Sequence, residues 1–267
     1  MTATQHDSDS WSSGSAYDRF MGRWSNLVGR EFLAWLAAPP DQVWLDVGCG
    51  TGTLTRLILE TSRALRIVAI DSSDDLVVFA EETTANPLAR FQVGLAQSLD
   101  LETDSVDVAV SGLALNFVPQ PERAVSEMLR VVRPGGIVGL YLWDYADGME
   151  MLRYFWDAAV ALDSKATAYD EGARFPLCRP QPLVSLVETA GLKQAVLAPI
   201  EVATRFQSFD DYWTPLLGAV GPAPSHTMSL SENDRQRLAD ELRQTLPRQA
   251  DGSISLKARS WAVKGIA

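Results

Sequence analysis

The stretch LDVGCGTGTLT, residues 45–55, decides the fold. It ends a short apolar run, VWLDV at 43–47, in three glycines within five residues, and then returns to helical spacing in TLTRLILETS at 53–62. That order reads as strand, tight turn and helix, the unit from which parallel sheets are built. Gly48, Gly50 and Gly52 carry no Cβ, so a ligand can come close to the backbone of the turn. A turn for dinucleotides reads GxGxxG, its helix N-terminus facing a pyrophosphate. Here the pattern is GxGxG, and Thr53 stands where that third glycine belongs. Asp46, two residues before the turn, adds a carboxylate that repels a diphosphate and attracts a cation.

The next units extend the same rhythm. RIVAI at 66–70 is a second buried strand ending at Asp71, which follows Gly52 by 19 residues. An acidic side chain meets ribose hydroxyls in such folds at a spacing of about 20. Two carboxylates on neighbouring strand ends thus bracket one ligand, and S-adenosylmethionine, with a sulfonium, an ammonium and no phosphate, has the matching charge. Taken singly, Asp46 also suits a turn acid and Asp71 a helix-capping acid. Ser72 or Ser73 can cap the helix at 74–85, and Asn86-Pro87 ends it. RFQVG at 90–94 and VDVAVSG at 106–112 read as strands, PERAVSEMLRVV at 121–132 as a helix, and IVGLYLW at 137–143 as a fifth strand. Upstream, WSNLVGREFLAWLA at 24–37 has helical spacing and stops at Pro39-Pro40.

After Asp144 the rhythm breaks. Residues 145–181 are aromatic-rich and read as a lid insertion, PLVSLVETAGL at 182–192 as a helix, and VLAPIEVATRF at 196–206 as a strand. A second insertion follows at 207–251, with Ser229 and Glu232 offering a capping box, and SISLKARSWAVKG at 253–265 alternates as a last, antiparallel strand. The expected organisation is a disordered, Ser- and Asp-rich segment 1–16 and one domain over 17–267. That domain has a cap helix within 17–40, a core of 41–144, 182–206 and 252–267, and the two lids.

Four segments, LDVGCGTGTLT, VAIDSSDDLV at 68–77, VGLAQSLDL at 93–101 and LRVVRPGG at 129–136, resemble class I S-adenosylmethionine-dependent methyltransferases in content and order. The branch they most resemble is that of ubiquinone and menaquinone biosynthesis, and the similarity covers residues 17–142. It implies an α/β fold with a doubly wound, seven-stranded, mostly parallel sheet and S-adenosylmethionine lying across the carboxyl ends of the first strands. Asp46, Gly48, Gly50 and Gly52 would line its methionine side, with Cys49 a small buried filler of the same turn. Asp71 would hold both ribose hydroxyls, Ser72 would flank the adenine, Ala96 and Gln97 would meet its edge, and Ser111 and Gly112 would lie beneath the sulfonium. The family's adenine-accepting Asp is replaced here by Leu95. In YDRFMGRWS at 17–25, Tyr17 would cover the methionine part and Arg23 would pair with its carboxylate. A packing aromatic and a surface charge are the plainer accounts of those two.

Methyl transfer depends on holding a nucleophile in line, so an obvious catalytic side chain is not required. Asn116, Phe117, Trp143, Tyr145, Arg174 and Trp213 are the candidates for meeting the acceptor. Asp144, at a strand end, and His226, in the Pro- and Gly-rich GPAPSHT at 221–227, are the candidate acid/base groups. The bland counterparts are a turn-capping acid for Asp144, a surface loop for His226, a contact with its own loop for Asn116 and a pair with Glu171 for Arg174.

Lys and Arg total 23 against 34 Asp and Glu, and the net charge of −11 repels polyphosphate, which excludes nucleic acid as the expected partner. Cys49 and Cys178 are the two cysteines and sit in no metal-ligand spacing, so no metal is expected. No run approaches the ~18 apolar residues of a membrane span, and a cytoplasmic protein without membrane partners is the expectation. The oligomeric state stays open. A small-molecule O-, N- or C-methyltransferase acting by in-line displacement fits this pattern; a non-catalytic module that binds the cofactor as a sensor is the alternative.

Overall fold

Apolar runs bounded by glycine or proline become strands, and the amphipathic runs between them become the helices that cover both faces. The computed structural model describes residues 21–218 and 221–267, so the expectations for 1–16 and for Tyr17 lie outside the described residues. A first helix, α1 (Arg23–Leu36), buries Trp24, Val28, Phe32 and Leu36 on one face. It ends where Ala37 turns left-handed, before Pro39-Pro40.

Five parallel units follow: β1 (Val43–Val47), α2 (Thr53–Thr61), β2 (Arg66–Asp71), α3 (Asp74–Thr84), β3 (Ala89–Val93), β4 (Val106–Gly112), α4 (Pro121–Val131) and β5 (Val132–Trp143). Ser73, not Ser72, caps α3, its hydroxyl accepting from the Leu76 amide. β5 starts five residues earlier than the apolar run suggests. Its pairing with β4 shifts between Val106 and Val108, which absorbs Pro134, Gly135 and Gly136 as an irregularity.

The sheet order among the described residues is β3-β2-β1-β4-β5-β7-β6, where β6 spans Lys193–Phe206 and β7 spans Ile254–Ile266. β7 runs antiparallel to both of its neighbours and the other strands are parallel, which gives the seven-stranded, doubly wound sheet. After β3 the chain returns to the other side of β1, so the carboxyl ends of β1 and β4 flank the point where the strand order reverses. In open α/β sheets that is where ligands bind.

The two insertions fold together into one lid. The first contributes α5 (Glu150–Leu162) and α6 (Glu171–Arg174), after which α7 (Pro180–Thr189) returns to the core and packs on α4 and β6; the second contributes α8 (Phe209–Trp213), α9 (Pro222–Ser229) and α10 (Glu232–Thr245). α9 and α10 pack on α5, and the buried Tyr212 hydroxyl donates to the Met151 carbonyl at 2.8 Å. Ser231, rather than Ser229, caps α10 by accepting from the Asp234 amide, while Ser229 closes α9 by donating to the His226 carbonyl. Three residues of spacing fit either serine on paper. What decides is that α9 occupies the stretch expected to be a loop, with Pro222 at its first turn.

Asp144 directly follows β5 and is 2% exposed. Arg259 of β7 pairs with it, Nη2 to Oδ2 at 2.6 Å and Nε to Oδ2 at 2.7 Å, while its Oδ1 accepts from the Asp147 amide. The pair clamps the chain as it leaves the sheet for the lid. Arg259→Leu leaves that carboxylate buried without its cation and is expected to lower the unfolding free energy by about 2–3 kcal/mol, below the full cost of a buried pair because Arg259 is partly exposed. Denaturant titration measures it; a loss well under 1 kcal/mol would show that the clamp does not hold β7 to β5.

Candidate functional site

At the switch point the turn after β1 meets the loop after β4. Gly48 has a φ of +74°, and an added Cβ there would run into the Cβ of Ala114, so only glycine lets the two loops touch. Gly50 also has positive φ, and a Cβ on it would meet no protein atom within 4 Å. Gly52, with φ of +81°, opens α2 and serves the turn rather than the cavity wall.

Between these loops and the lid lies a cavity of about 650 Å³. One end is formed by the glycine turn, by Asp71, Ser72 and Ser73 after β2, and by Gly94, Leu95, Ala96 and Gln97 after β3. The middle holds Gly112, Ala114 and Phe117, and the far end Trp143, Tyr145, Leu152 and Glu171. Among the described residues that line it, Asp46, Asp71 and Glu171 are acidic and none is Lys, Arg or His.

Asp71 ties the turn to β2. Its Oδ2 accepts from the Gly50 amide at 2.8 Å and its Oδ1 from the Ser73 amide at 3.0 Å. Asp46 is 1% exposed; its Oδ2 accepts from the Thr55 hydroxyl at 2.7 Å, while its buried Oδ1 has no hydrogen-bond partner among the described residues. Burial raises its pKa to about 7, the charge of Asp71 adding to the effect and the Thr55 hydrogen bond opposing it. A carboxylate held this way is short of one donor or cation, which a ligand ammonium or hydroxyl can supply.

Of the cofactor candidates, Asp46, Gly48, Cys49, Gly50, Asp71, Ser72, Ala96, Gln97 and Gly112 line the cavity. Ser111 is buried inside β4 instead. Arg23 is turned away: its guanidinium lies over the rings of Trp24 and Phe206 and pairs with Asp211 at 3.1 Å. Of the acceptor candidates, Phe117, Trp143 and Tyr145 line the cavity, and Phe175 backs the first and third edge-on and tilted at 5.2 and 5.8 Å between ring centroids. Asn116 does not reach it; both polar side-chain atoms are buried in the turn Leu115–Phe117 without a partner. Trp213 stacks on Phe209 in the lid core, and Arg174 lies over Phe175 outside the lining. Asp144 is consumed by Arg259 and His226 packs among Phe155, Trp156 and Tyr169, so neither candidate acid/base group faces the cavity.

Glu171 is the group that the residue pattern did not single out. It opens α6, is buried, and accepts from the indole nitrogen of Trp156. Burial raises its pKa to about 7, against its hydrogen bonds to its own backbone amide and to Trp156. An acid at the first position of a short helix looks like a capping residue, and its indole partner is 15 residues away. Among the described residues no group of three His, Cys, Asp or Glu is placed to hold a metal, and no helix is long and apolar enough to cross a membrane.

Residues 45–140 match the family model described as a methyltransferase domain. Over that stretch the chain is similar to S-adenosylmethionine-dependent methyltransferases. The chain is 32% identical over 126 residues to a malonyl-[acyl-carrier protein] O-methyltransferase of Pectobacterium atrosepticum, covering 47% of the chain and 48% of the relative. It is 35% identical over 123 residues to a 2-methyl-6-phytyl-1,4-hydroquinone methyltransferase of Synechocystis, covering 46% and 38%. The chain thus spans about half the length, or less, of these curated relatives. Among solved structures, a putative methyltransferase of Bacillus halodurans superposes with a TM-score of 0.60 at 16% identity over 89% of this chain and 97% of that one. A phosphoethanolamine N-methyltransferase of Haemonchus contortus in complex with S-adenosyl-L-methionine superposes at 0.60 and 15% identity over 99% and 58%.

The buried carboxyl of Asp46 has a thermodynamic signature. A carboxyl whose pKa rises on folding holds a proton that the unfolded chain has released, so its contribution to stability is complete below about pH 4 and is lost as the pH rises through about 7. Asp46→Asn is therefore expected to raise the melting temperature of the ligand-free protein at pH 8 by at least 2–4 °C, roughly 1 kcal/mol. The gain should shrink toward pH 4, while S-adenosylhomocysteine binding weakens. Equal melting curves at pH 8 would mean that Asp46 pays no desolvation cost.

Proposed function

We propose that the protein transfers the methyl group of S-adenosylmethionine to a small-molecule acceptor. The observation that carries the proposal is the buried, unpartnered Oδ1 of Asp46 at the edge of a glycine turn whose backbone lies open to the cavity. A cationic amino acid moiety completes that carboxylate, whereas a diphosphate would meet it with charge of the same sign. Asp71, already fixed by two backbone amides and still facing the cavity, is oriented to accept from a pair of ribose hydroxyls. Ser72, Ala96 and Gln97 border the same end, where the apolar Leu95 offers a face for the adenine rather than an acceptor.

When bound, S-adenosylmethionine supplies an electrophilic methyl on a positively charged sulfur. The chain's own part is positional: Gly112 and Phe117 border the middle of the cavity, and the aromatic end holds an acceptor between Phe117, Trp143 and Tyr145 while the lid keeps water out. The lack of basic side chains among the described residues of the lining favours a neutral or cationic acceptor over a phosphorylated one.

Calorimetric titration with S-adenosylhomocysteine tests the proposal. Micromolar binding is expected, and Asp71→Ala should weaken it about 10- to 100-fold, the range for a lost hydrogen bond to a charged group. Protein that ignores S-adenosylmethionine and S-adenosylhomocysteine but takes up NAD would overturn it.

A further inference from the structure

The far end of the cavity combines features that the cofactor does not use. Phe117, Trp143 and Tyr145 present rings, Leu152 adds an apolar wall, and Glu171 contributes the one carboxyl at that end. Glu171 is held by Trp156 from α5, and the chain beyond it is pressed against the Tyr145 carbonyl at Gly172, which fixes the carboxyl beside the aromatic wall. Neighbouring charges are already committed: Arg153 of α5 pairs with Asp170, and Asp144 with Arg259. Cys178 lies close enough to feel both Asp144 and Glu171, and burial together with those charges holds its thiol protonated. His226 stands behind Trp156, its pKa lowered by burial, and so adds no cation.

From this arrangement, and resting on the methyl-donor reading above, we infer that the acceptor is an amine on an apolar, ring-bearing scaffold, and that Glu171 holds its nitrogen and receives its proton. Ring faces and a carboxylate together favour a cation over a neutral or anionic group. The sign of the charge that chemistry creates decides between nitrogen and oxygen nucleophiles. Activating a hydroxyl builds an oxyanion, and three acidic residues with no basic one among the described residues of the lining oppose it. Methylating an amine instead ends with a cation, which the same residues stabilise.

The balance is simple. The acceptor ammonium gives one proton to a Glu171 oxygen, which frees the nitrogen lone pair. That pair forms the new N–C bond as the C–S bond breaks, and the C–S electrons remain on sulfur. The positive charge moves from sulfur to the methylated nitrogen, and the proton on Glu171 leaves to solvent on product release. A carboxyl that burial poises at about 7 can take that proton and return it near neutral pH.

The test uses the full chain loaded with S-adenosylhomocysteine, titrated with phenethylamine, 2-phenylethanol and phenylacetate. The amine is expected to bind at least tenfold more tightly than either isostere. Its affinity should rise several-fold between about pH 6 and pH 8, as Glu171 ionises while the alkyl ammonium stays protonated. Glu171→Gln, which preserves the acceptor for Trp156, should erase the preference and the pH dependence while leaving the S-adenosylhomocysteine dissociation constant within twofold. Equal or tighter binding of the alcohol or the carboxylate, or no preference for the amine in the unaltered protein, overturns the acceptor assignment alone. A chain that does not take up S-adenosylhomocysteine overturns the methyl-donor reading beneath it.

Discussion

The carboxylate of Asp46, buried at the end of β1 with one oxygen unpartnered, is the constraint to which the rest of the site answers. Removing a carboxylate from water is costly, and here the single strong donor is the Thr55 hydroxyl one turn into α2. Everything around it is arranged to keep the opposite side open. The glycine turn swings away under positive φ at Gly48, Gly50 and Gly52, and Asp71 holds the turn there through the Gly50 amide. The sheet order brings the β4 loop onto the same spot, where the missing Cβ of Gly48 makes room for Ala114. A destabilised carboxyl at a switch point is the usual mark of a binding site rather than of a core, because the core gains nothing from it.

The lid solves a different problem. β6 and β7 are 14 and 13 residues long, pair over most of that length, and run on past the strands that carry the cofactor loops. Their tips carry the second insertion onto the first, where Tyr212 donates to Met151, and onto α1, where Phe206 meets Trp24 edge-on at 5.3 Å and Tyr212 at 5.2 Å. Aromatic residues therefore do two jobs. Those on the inner rim line the cavity, and those behind, such as Phe155, Trp156 and Trp213, give a small layer of helices a core of its own.

That division explains what the residue pattern could and could not reveal. Strand and helix order follow from local periodicity, and the glycine turn and its two carboxylates lie within 26 residues of one another, so the sheet and the turn end of the cavity were legible. The lid was not, because its contacts are long-range. Asp144 is a strand-end acid in either role until Arg259, 115 residues on, takes it. Arg23 looks available for a ligand carboxylate until Asp211, 188 residues away, claims it. Glu171 shows the converse: an acid in a helix-start context becomes a site residue only because α5 brings Trp156 beside it and Tyr145 closes the other side.

The charge pattern along the cavity ties both ends together. In dinucleotide enzymes the same switch point receives a diphosphate, and its helix N-terminus supplies partial positive charge for the purpose. Here α2 begins in the same place, yet Asp46 and Asp71 stand at the mouth of the turn and reverse the local sign. A ligand must then bring positive charge or hydroxyl donors, and the absence of any basic side chain in the described lining extends that demand to the far end of the cavity. In a water-poor cavity such fields act at short range with little screening. A reaction that carries a unit of positive charge from one end of the cavity to the other suits them better than one that creates negative charge midway, and three carboxyls spaced along that path are what such a transfer requires of the protein.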